Sequence, residues 1–317
     1  MKKILVIGAR GQIGSELVPS LRKRYGNDNV VSAGRSYPLA GDPTEDGPSC
    51  QLDATDAQRL ADVVKKYQID AIYNMAAVLS AKAEADPLWG WNTGVGSVLN
   101  CLEVAREFKA MLFTPSSIGA FGPGTPPDNT PQDTVQRPGT IYGVSKVAGE
   151  LLSDYYFKRF GVDTRSVRYP GLISNLTLPG GGTTDYAVEI YYAAVKGEKF
   201  ICPLKKGTFM DMMYMPDAVD AAIDLMEVDS ARLKHRNSFN VTAMSFDPET
   251  IYLEIKKHIP NFEMEYEIHP LKQGIADSWP NSMDDTCARE EWGWNPKYNL
   301  ASMTEDMIKE LKKKFNK

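Results

Sequence analysis

The chain has 317 residues, of which 43% are hydrophobic and 24% are charged, and its formal net charge is −5. This composition is typical of a soluble globular protein, and the negative charge gives no general attraction for nucleic acid or an anionic membrane surface. No apolar run reaches the roughly 18 residues that a membrane-spanning helix needs, so neither nucleic acid nor a membrane is an expected partner.

The first residues, MKKILVIGAR, place two lysines before an apolar run, as a signal peptide does. The run ends at Gly8 after about four residues, which is too short for a signal sequence. We therefore expect a buried first strand.

Apolar strand-like segments then alternate with amphipathic helix-like segments through the first half of the chain. Strands are predicted in KILVIGA, NVVSAGR, IDAIYNMAAV, AMLFTPSS and VDTRSVRYPG, and helices lie between them. This alternation predicts a parallel sheet with right-handed crossovers, and the expected fold class is α/β, a Rossmann-type doubly wound sheet. Such sheets bind ligands at the carboxyl ends of their strands.

The regular alternation stops after Pro170. The segment PGLISNLTLPGGGTTDY is rich in Gly, Pro and Thr, and shorter elements follow it. We expect residues 1–170 to form the dinucleotide-binding domain and residues 171–317 to form mainly a smaller, interleaved substrate or lid domain. The segment FMDMMYMPDAVDAAIDLM predicts a strand and a helix, so residues 208–240 are expected to return to the main sheet.

Cysteines and histidines argue against a disulfide framework and a metal site. The cysteines, Cys50, Cys101, Cys202 and Cys287, are far apart and form no Cys-x-x-Cys pair. This predicts unpaired thiols, a reducing cytoplasmic location and no bound metal. The three histidines all lie beyond residue 234, so a catalytic base of another type is expected.

A glycine-rich turn follows the first predicted strand. The segment IGARGQIG spaces Gly8, Gly11 and Gly14 as G-x-x-G-x-x-G, after a strand and before a helix. Gly8 permits the tight turn, Gly11 lets the backbone approach a pyrophosphate, and Gly14 lets helix and strand pack closely. The alternative is a glycine-rich turn without a ligand, but the position in a strand–helix unit favours dinucleotide binding.

The end of the second predicted strand bears on the choice between NAD and NADP. An acidic residue there would hold the ribose hydroxyls of NAD, whereas an arginine accommodates the 2′-phosphate of NADP. The strand ends in SAGRS, with Gly34 at the position of the acid and Arg35 after it. This points toward NADP, unless Arg35 is a solvated surface residue. Asp53, after the third strand, is a candidate for the edge of the adenine ring, or else a turn residue.

Three residues at the ends of later elements form a candidate catalytic group. Ser117 ends the strand FTPSS, and Tyr142 and Lys146 lie one helical turn apart on the next helix. The ammonium of Lys146 would favour the phenolate of Tyr142, which could accept the proton of a substrate alcohol as general base. Ser117 would hold the same oxygen, and hydride would pass to a nicotinamide. The neighbouring Ser116 is the competing candidate for the hydroxyl.

Together these motifs resemble one family over nearly the whole chain. GARGQIG, DATD, SSIGAFGP, YGVSK and RYPG resemble the extended short-chain dehydrogenase/reductase family, which is epimerase/dehydratase-like. LSAKAEADP, LPGGGTTDYAVEIYYAA, NVTAMSF and IADSWPNSMDDTCAREEWGW are similar to the L-threonine 3-dehydrogenase branch of that family. The resemblance implies oxidation of the 3-hydroxyl of L-threonine to 2-amino-3-oxobutyrate with NAD.

The resemblance also implies a role for each matching residue. Ser117 and Tyr142 would contact the substrate hydroxyl, and Lys146 would contact the nicotinamide ribose. The expected substrate-binding residues are Ser80, Ser117, Tyr142, Thr183, Thr184 and Trp279. The expected cofactor-binding residues are Gly8, Gly11, Gln12, Ile13, Gly14, Arg35, Asp53, Ala76, Ala77, Lys146, Tyr169 and Pro170. Trp279 would close the pocket, unless it is a core aromatic.

The chain departs from the family pattern at three positions. Ser117 stands where the family usually has Thr, Gly34 stands near the usual Asp, and Gly94 stands where an Asn usually supports the proton relay near the lysine. The first change keeps the hydroxyl. The second leaves the choice between NAD and NADP open, and the third would need a water in place of the Asn side chain.

Two other interpretations compete with a threonine dehydrogenase. A nucleotide-sugar epimerase or reductase shares the fold, but it would want a cation in the substrate loop, and no Lys or Arg occurs between Arg168 and Lys196. A non-catalytic dinucleotide sensor often lacks the Tyr or the Lys that this chain keeps.

The expected partners are a small amino-acid substrate and a second copy of the chain. Extended family members commonly pair through the long helices before and after the active site. Those helices correspond to about residues 88–108 and 141–160, so a homodimer is expected by analogy.

Overall fold

The strands and helices follow the alternation of the sequence. The structure is a computed structural model, and it describes residues 1–38, 41–42, 44–178, 180 and 182–315. The strands are β1 (Ile4–Ile7), β2 (Val30–Gly34), β3 (Ser49–Gln51), β4 (Ala71–Asn74), β5 (Met111–Phe113), β6 (Ser116–Ser117), β7 (Thr164–Arg165), β8 (Val167–Tyr169), β9 (Gly171–Ile173), β10 (Phe200–Cys202), β11 (Met210–Tyr214), β12 (Phe239–Asn240), β13 (Met244–Phe246) and β14 (Met264–Tyr266). The helices are α1 (Gly14–Tyr25), α2 (Ala57–Tyr67), α3 (Ser80–Ala85), α4 (Pro87–Phe108), α5 (Ile141–Phe160), α6 (Tyr186–Lys196), α7 (Met215–Glu227), α8 (Pro248–His258), α9 (Pro270–Ala276), α10 (Thr286–Trp292) and α11 (Leu300–Lys314). No helix within the described ranges combines the length and the apolar character needed to cross a membrane.

Six strands of the first half form one sheet in the order β3-β2-β1-β4-β5-β7, and every pairing in it is parallel. The side chains of β1 alternate between two hydrophobic clusters. Ile4 and Val6 belong to the cluster that contains α1 and α7, whereas Leu5 and Ile7 belong to the cluster that contains α2 and α4. Helices therefore cover both faces, and the prediction of a doubly wound α/β sheet is confirmed. The crevice at the carboxyl ends of β1 and β4 is where such a sheet binds ligands.

Two segments predicted as single strands are each divided in two. AMLFTPSS forms β5 and β6, and VDTRSVRYPG forms β7 and β8. Pro115 has no backbone N–H and interrupts the ladder after β5. β5 pairs with β7 in the main sheet, whereas β6 pairs with β8, which also pairs with β12. The division places Ser117 opposite Tyr169 on a short sheet of its own.

Beyond Pro170 the chain builds smaller sheets around a third hydrophobic cluster. One sheet has the order β13-β11-β9, and β10 pairs with β14. The mostly buried helix α6 packs among these strands with α8 and α11. In contrast, α7 shares a cluster with α1 and β1, and β12 pairs with β8. The domain boundary at residue 170, with residues 208–240 returning to the first domain, stays a prediction.

Candidate active and cofactor-binding site

The glycine-rich turn joins β1 to α1 beside the crevice. Gly8 has a φ of 75°, which other residues rarely adopt, and a Cβ there would lie 2.9 Å from the backbone of Met75. A Cβ on Gly14 would lie 2.3 Å from the carbonyl oxygen of Gly8, so α1 packs onto the turn only because residue 14 is glycine. No acceptor is found among the described residues for the backbone N–H groups of Gln12 and Ile13. The start of α1 therefore offers donors to an anion.

Two side chains of this turn carry buried nitrogen atoms without a partner. Nε2 of Gln12 and Nη1 of Arg10 are buried and lack a hydrogen-bond partner in the described part of the chain. Buried polar groups are normally paired, so these donors fit a ligand that carries acceptor oxygens, as a dinucleotide does. Gln12 is among the residues predicted from the sequence. Arg10 is not, although a basic residue inside the turn is visible in GARG.

Arg10 extends from the turn to the end of β2. A Cβ on Gly34, the last residue of β2, would lie 2.5 Å from Nη2 of Arg10. The same nitrogen donates to Oγ of Ser36 at 3.3 Å. Arg35 is exposed. Arg10 therefore supplies a guanidinium at the end of β2, where only Arg35 was predicted from the sequence.

Asp53 lies after β3 and is engaged in a local turn. Its Oδ1 accepts hydrogen bonds from N and Oγ1 of Thr55 at 2.9 and 2.7 Å. These two bonds, and to a smaller extent the charge of Arg35, lower the pKa of Asp53. The turn role is thus present in the structure, and the contact with adenine stays a prediction.

Two glycines bring the predicted catalytic residues together. Gly119 follows Ser117 in a short 3-10 helix, and a Cβ on it would lie 3.1 Å from Cε1 of Tyr142 and 3.5 Å from Oγ of Ser117. A Cβ on Gly143 would lie 2.2 Å from the carbonyl oxygen of Gly119. The start of α5 can lie against the end of β6 only because both positions are glycine. This contact places the ring of Tyr142 near the hydroxyl of Ser117.

Lys146 lies one turn further along α5. Its Nζ donates to the carbonyl oxygen of Pro115 at 2.8 Å and lies 5.4 Å from the centre of the Tyr142 ring. The first turn of the helix is fixed because Oγ1 of Thr140 accepts a hydrogen bond from the N–H of Gly143 at 3.0 Å. The ammonium is therefore held between the phenol and the segment that leads to Ser117.

Ser116 is committed to a buried ion pair behind this group. Its Oγ donates to Oε1 of Glu150, and the guanidinium of Arg168 donates to both oxygens of Glu150 at 3.0 and 2.8 Å. Glu150 and Arg168 are each 5% exposed, and a buried charge that loses its partner is strongly destabilising. The hydroxyl of Ser116 is therefore used in a structural hydrogen bond, which favours Ser117 as the residue that contacts the substrate. The sequence carried no signal for this pair.

Gly94, on α4, faces Ser145 of α5. A Cβ on Gly94 would lie 2.9 Å from Oγ of Ser145, which donates to the carbonyl oxygen of Tyr142 at 2.7 Å. Ser145 therefore fills the space that a longer side chain at position 94 would need. The residues that line the cavity here include Ala76, Ala77, Gly94, Tyr142, Ser145 and Lys146. The water expected in place of the Asn side chain stays a prediction.

Two of the segments that carry predicted substrate-binding residues lie close to each other. Ser80 is buried at the start of α3, directly after Leu79, and a Cβ on Gly180 would lie 2.9 Å from Cδ1 of Leu79. Thr183 is buried too, and its Oγ1 has no hydrogen-bond partner among the residues that the structure describes. Two other residues of the predicted loop LPGGGTTDY, at positions 179 and 181, lie outside the described residues.

Thr184 and Trp279 lie close to elements of the third hydrophobic cluster. A Cβ on Gly171, the first residue of β9, would lie 2.8 Å from Cγ2 of Thr184. Trp279 is 9% exposed and belongs to the cluster that contains Ile118 and Ile275. Its packing is that of a core aromatic, while Ile118 connects this cluster to the neighbouring Ser117.

The side chain of Tyr169 lies away from the crevice, and the contact of this residue with the cofactor stays a prediction. Its ring lies in the core, and its hydroxyl donates to the carbonyl oxygen of Ala218 at 2.6 Å. Burial raises the pKa of Tyr169 well above the ordinary value. The backbone is what Tyr169 can offer to a ligand, and the contact of Pro170 stays a prediction.

One cluster of residues of metal-binding type was not expected from the sequence. Ligand atoms of His235, Cys287 and Glu291 lie within 4.8 Å of one another. Nδ1 of His235 is hydrogen-bonded to Oε1 of Glu291, and the N–H groups of Lys234 and His235 donate to Oε2. None of these residues lines the cavity beside Tyr142 and Lys146.

Comparison with known proteins matches the chain along its whole length. The model of the NAD dependent epimerase/dehydratase family matches residues 4–242. An uncharacterized epimerase/dehydratase of Staphylococcus aureus is 54% identical over 314 residues, which cover 99% of this chain and 98% of that protein.

Solved structures extend the comparison. An L-threonine dehydrogenase from Clostridium difficile is 53% identical, with a TM-score of 0.97, and the match covers 99% of this chain and 98% of that one. A GalE-like L-threonine dehydrogenase from Cupriavidus necator is 48% identical, with a TM-score of 0.94, and the match covers 98% of this chain and 99% of that one.

Proposed function

Since the chain belongs to the NAD dependent epimerase/dehydratase family, we propose that it oxidises the 3-hydroxyl of L-threonine to 2-amino-3-oxobutyrate with a nicotinamide dinucleotide. The observation that carries this proposal is the approach of Tyr142 and Ser117 at Gly119, with Lys146 one turn behind. Two L-threonine dehydrogenases of similar sequence match this chain over almost its full length, which supports threonine over other substrates of the family.

Tyr142 is the proposed general base, and it takes the proton of the substrate 3-hydroxyl. Ser117 holds the same oxygen by a hydrogen bond, so the hydroxyl is oriented toward the phenol before the proton moves. Lys146, fixed by the carbonyl of Pro115, supplies positive charge beside Tyr142 and stabilises the phenolate. The proton-accepting group and the orienting group therefore stand on two different elements that the glycines bring into contact.

The turn after β1 fits a nicotinamide dinucleotide. Nε2 of Gln12 and the N–H groups at the start of α1, which have no partner among the described residues, suit a pyrophosphate. The cavity beside Lys146 suits the nicotinamide ribose. When bound, the cofactor accepts the hydride from the carbinol carbon. NAD is the cofactor that the family resemblance implies, and Gly34 with Arg35 favours NADP as the alternative.

The loop before α6 and the start of α3 suit a small zwitterion. Oγ1 of Thr183, which has no partner within the described ranges, and the hydroxyl of Ser80 are buried polar groups that a carboxylate or ammonium could satisfy. Thr184 and Trp279 complete the proposed set, Trp279 as an apolar wall rather than a mobile cover.

The alternative function is a nucleotide-sugar epimerase or reductase on the same fold. A diphosphate would need cations near the substrate loop, and the chain has none between Arg168 and Lys196. Arg168 itself is buried and paired with Glu150. A non-catalytic dinucleotide sensor would have no need for the approach of Ser117 to Tyr142. Both alternatives are therefore disfavoured.

We also propose a homodimer formed through α4 and α5. These helices pack against each other, yet they leave large apolar side chains exposed, among them Leu88, Trp89, Trp91, Val144, Leu151 and Tyr155. Such a patch is typical of a protein interface, and a second copy fits it because related proteins commonly pair through these helices. Sedimentation equilibrium measures the mass directly.

The proposed location is a reducing cytoplasm. Cys50, Cys101, Cys202 and Cys287 are all free, and the first three are buried. Unpaired cysteines are the usual state of proteins kept in a reducing compartment.

The experiment that tests the function is an absorbance assay for nicotinamide reduction by the purified chain with L-threonine. NAD and NADP are each supplied, and glycine and L-serine serve as controls for the side chain. Reduction that depends on L-threonine supports the proposal. Interconversion of UDP-glucose and UDP-galactose, with no response to threonine, would show that the epimerase alternative is correct.

A further inference from the structure

Arg10 and Gly34 form a matched pair at the end of β2. The guanidinium lies directly over Gly34, since a Cβ there would be 2.5 Å from Nη2 and 3.2 Å from Cζ of Arg10. Gly34 is not among the glycines with positive φ, so its backbone conformation does not require glycine, but the guanidinium can hold this position only while residue 34 has no side chain. An acid at position 34 would displace the guanidinium.

This guanidinium has donors to spare. Nη2 makes one long hydrogen bond, at 3.3 Å, to Oγ of Ser36, and Nη1 is buried with no partner among the described residues. Within the described part of the chain, neither Arg10 nor the exposed Arg35 forms an ion pair with a carboxylate. Asp53, which interacts with Arg35, is held by Thr55 instead. Buried donors without acceptors are costly, so the arrangement suits an anion that supplies the missing acceptors.

We propose that Arg10, with Ser36 and Arg35, binds the 2′-phosphate of the adenosine ribose, so that the chain takes NADP in preference to NAD. In a sheet of this type the end of β2 faces that ribose. A guanidinium fits phosphate oxygens with two parallel hydrogen bonds, and Arg35 adds a second charge from the open side. The proposal rests on the dinucleotide site of the proposed function and adds which nucleotide that site selects.

Two other contacts are open to a guanidinium in this region. It could bind the pyrophosphate, or it could stack on the adenine ring. The pyrophosphate already has donors at the start of α1 and on Gln12. The hydrogen bond to Ser36 holds the guanidinium at the end of β2 instead. Two ligands that differ only in the 2′-phosphate distinguish these alternatives from the proposal, because only the proposed contact depends on that phosphate.

The test compares adenosine 2′,5′-bisphosphate with adenosine 5′-monophosphate by isothermal titration calorimetry on the full chain. The wild type is expected to bind the bisphosphate about 10- to 100-fold more tightly, which is the gain from charge-assisted hydrogen bonds to one phosphate. Equal affinities would overturn the proposal.

Three variants identify the residues responsible. Arg10→Ala should lose most of the preference for the bisphosphate while its affinity for the monophosphate stays within about twofold. Gly34→Asp should lose the preference too, because it displaces the guanidinium and adds a negative charge. Lys65→Ala, on the exposed last turn of α2, removes one positive charge elsewhere and should keep the preference. Equal loss of both ligands in Arg10→Ala would instead assign Arg10 to the pyrophosphate or to adenine.

The outcomes also separate this inference from the proposed function. Binding of neither ligand would overturn the nucleotide site and the inference together. A preference for the bisphosphate without threonine oxidation would leave the inference standing and contradict the substrate. Threonine oxidation without a preference for the bisphosphate would support the proposed function and overturn the inference.

Discussion

The crevice has a catalytic end and an adenosine end, and they differ in how closely they keep the family pattern. The catalytic end, defined as Ser117, Tyr142 and Lys146, keeps the tyrosine and the lysine, keeps a hydroxyl at position 117, and has the glycines that bring these groups together. The adenosine end, defined as Arg10, Gly34, Arg35 and Ser36, replaces the usual acid with glycine and fills the space with a guanidinium. From this difference we expect the reaction and the choice of cofactor to be governed by separate residues of one crevice.

The largest expected effect belongs to the catalytic end. Tyr142→Phe removes the proposed general base, and kcat should fall by about a hundred- to ten-thousand-fold. Nucleotide affinity at the adenosine end should not change. Steady-state kinetics measure kcat, and calorimetry measures the nucleotide affinity. The control is Tyr155→Phe, which changes an exposed tyrosine on the same helix. If Tyr142→Phe kept its activity, another group would have to be the general base that accepts the proton.

The two neighbouring serines should separate catalysis from stability. Ser117→Ala should lower kcat by about 10- to 100-fold, because one hydrogen bond to the reacting oxygen is lost. Ser117→Thr, which keeps the hydroxyl, should restore activity.

Ser116→Ala should instead lower the free energy of unfolding by about 1–3 kcal/mol, because Glu150 loses a hydrogen bond. Its kcat should change little. Kinetics and urea unfolding of all three variants distinguish the roles, and the opposite pattern would exchange the two serines.

Glu16, in the first turn of α1, should make stability depend on pH. Burial raises its pKa from 4.5 to about 7, although the hydrogen bond from Ser174 lowers it. The folded state keeps the proton to a higher pH than the unfolded state does. The contribution of Glu16 is therefore full below pH 4.5 and is lost as the pH rises through about 7.

Glu16→Gln should reduce this loss of stability by about 1–2 kcal/mol between about pH 5 and about pH 8. Urea unfolding at both values measures it, and Glu107→Gln, an exposed carboxylate on α4, is the control. An unchanged pH profile in Glu16→Gln would mean that another buried acid, such as Asp211, dominates.

The smallest effect concerns Gly94, which departs from the family pattern and lies beside the catalytic end. Gly96→Ala on the same helix meets nothing within 4 Å, so it should raise the free energy of unfolding by about 0.5–1 kcal/mol. Gly94→Ala should gain less or lose stability, because its Cβ would lie 2.9 Å from Oγ of Ser145. Thermal unfolding of both variants is sufficient. An equal gain at the two positions would show that Ser145 leaves room for a side chain.

The sequence was sufficient for elements whose signal is local. The glycine turn and the spacing of Tyr142 and Lys146 are each visible in a short stretch of residues, and the alternation of strands and helices indicates the parallel sheet. The division of AMLFTPSS into β5 and β6 was missed because Pro115 was included in an apolar run, although its missing N–H ends the ladder.

Contacts between distant segments could not be foreseen. Arg10 meets Gly34, Gly94 meets Ser145, and Glu150 pairs with Arg168 across the fold. Arg10 in the turn and the glycine in place of an acid at the end of β2 were both visible in the sequence. Only the folded chain shows that the guanidinium of Arg10 occupies the space over Gly34. The pattern of β8 likewise does not reveal which of its faces is buried, so the position of the Tyr169 side chain in the core could not be foreseen.

The most direct test of this separation is steady-state kinetics of the wild type with saturating L-threonine and either NAD or NADP. If the catalytic end alone governs the reaction, kcat should agree within about twofold, while KM for NADP should be about tenfold lower or more. A lower KM for NAD, or two cofactors that differ in kcat but not in KM, would contradict the account.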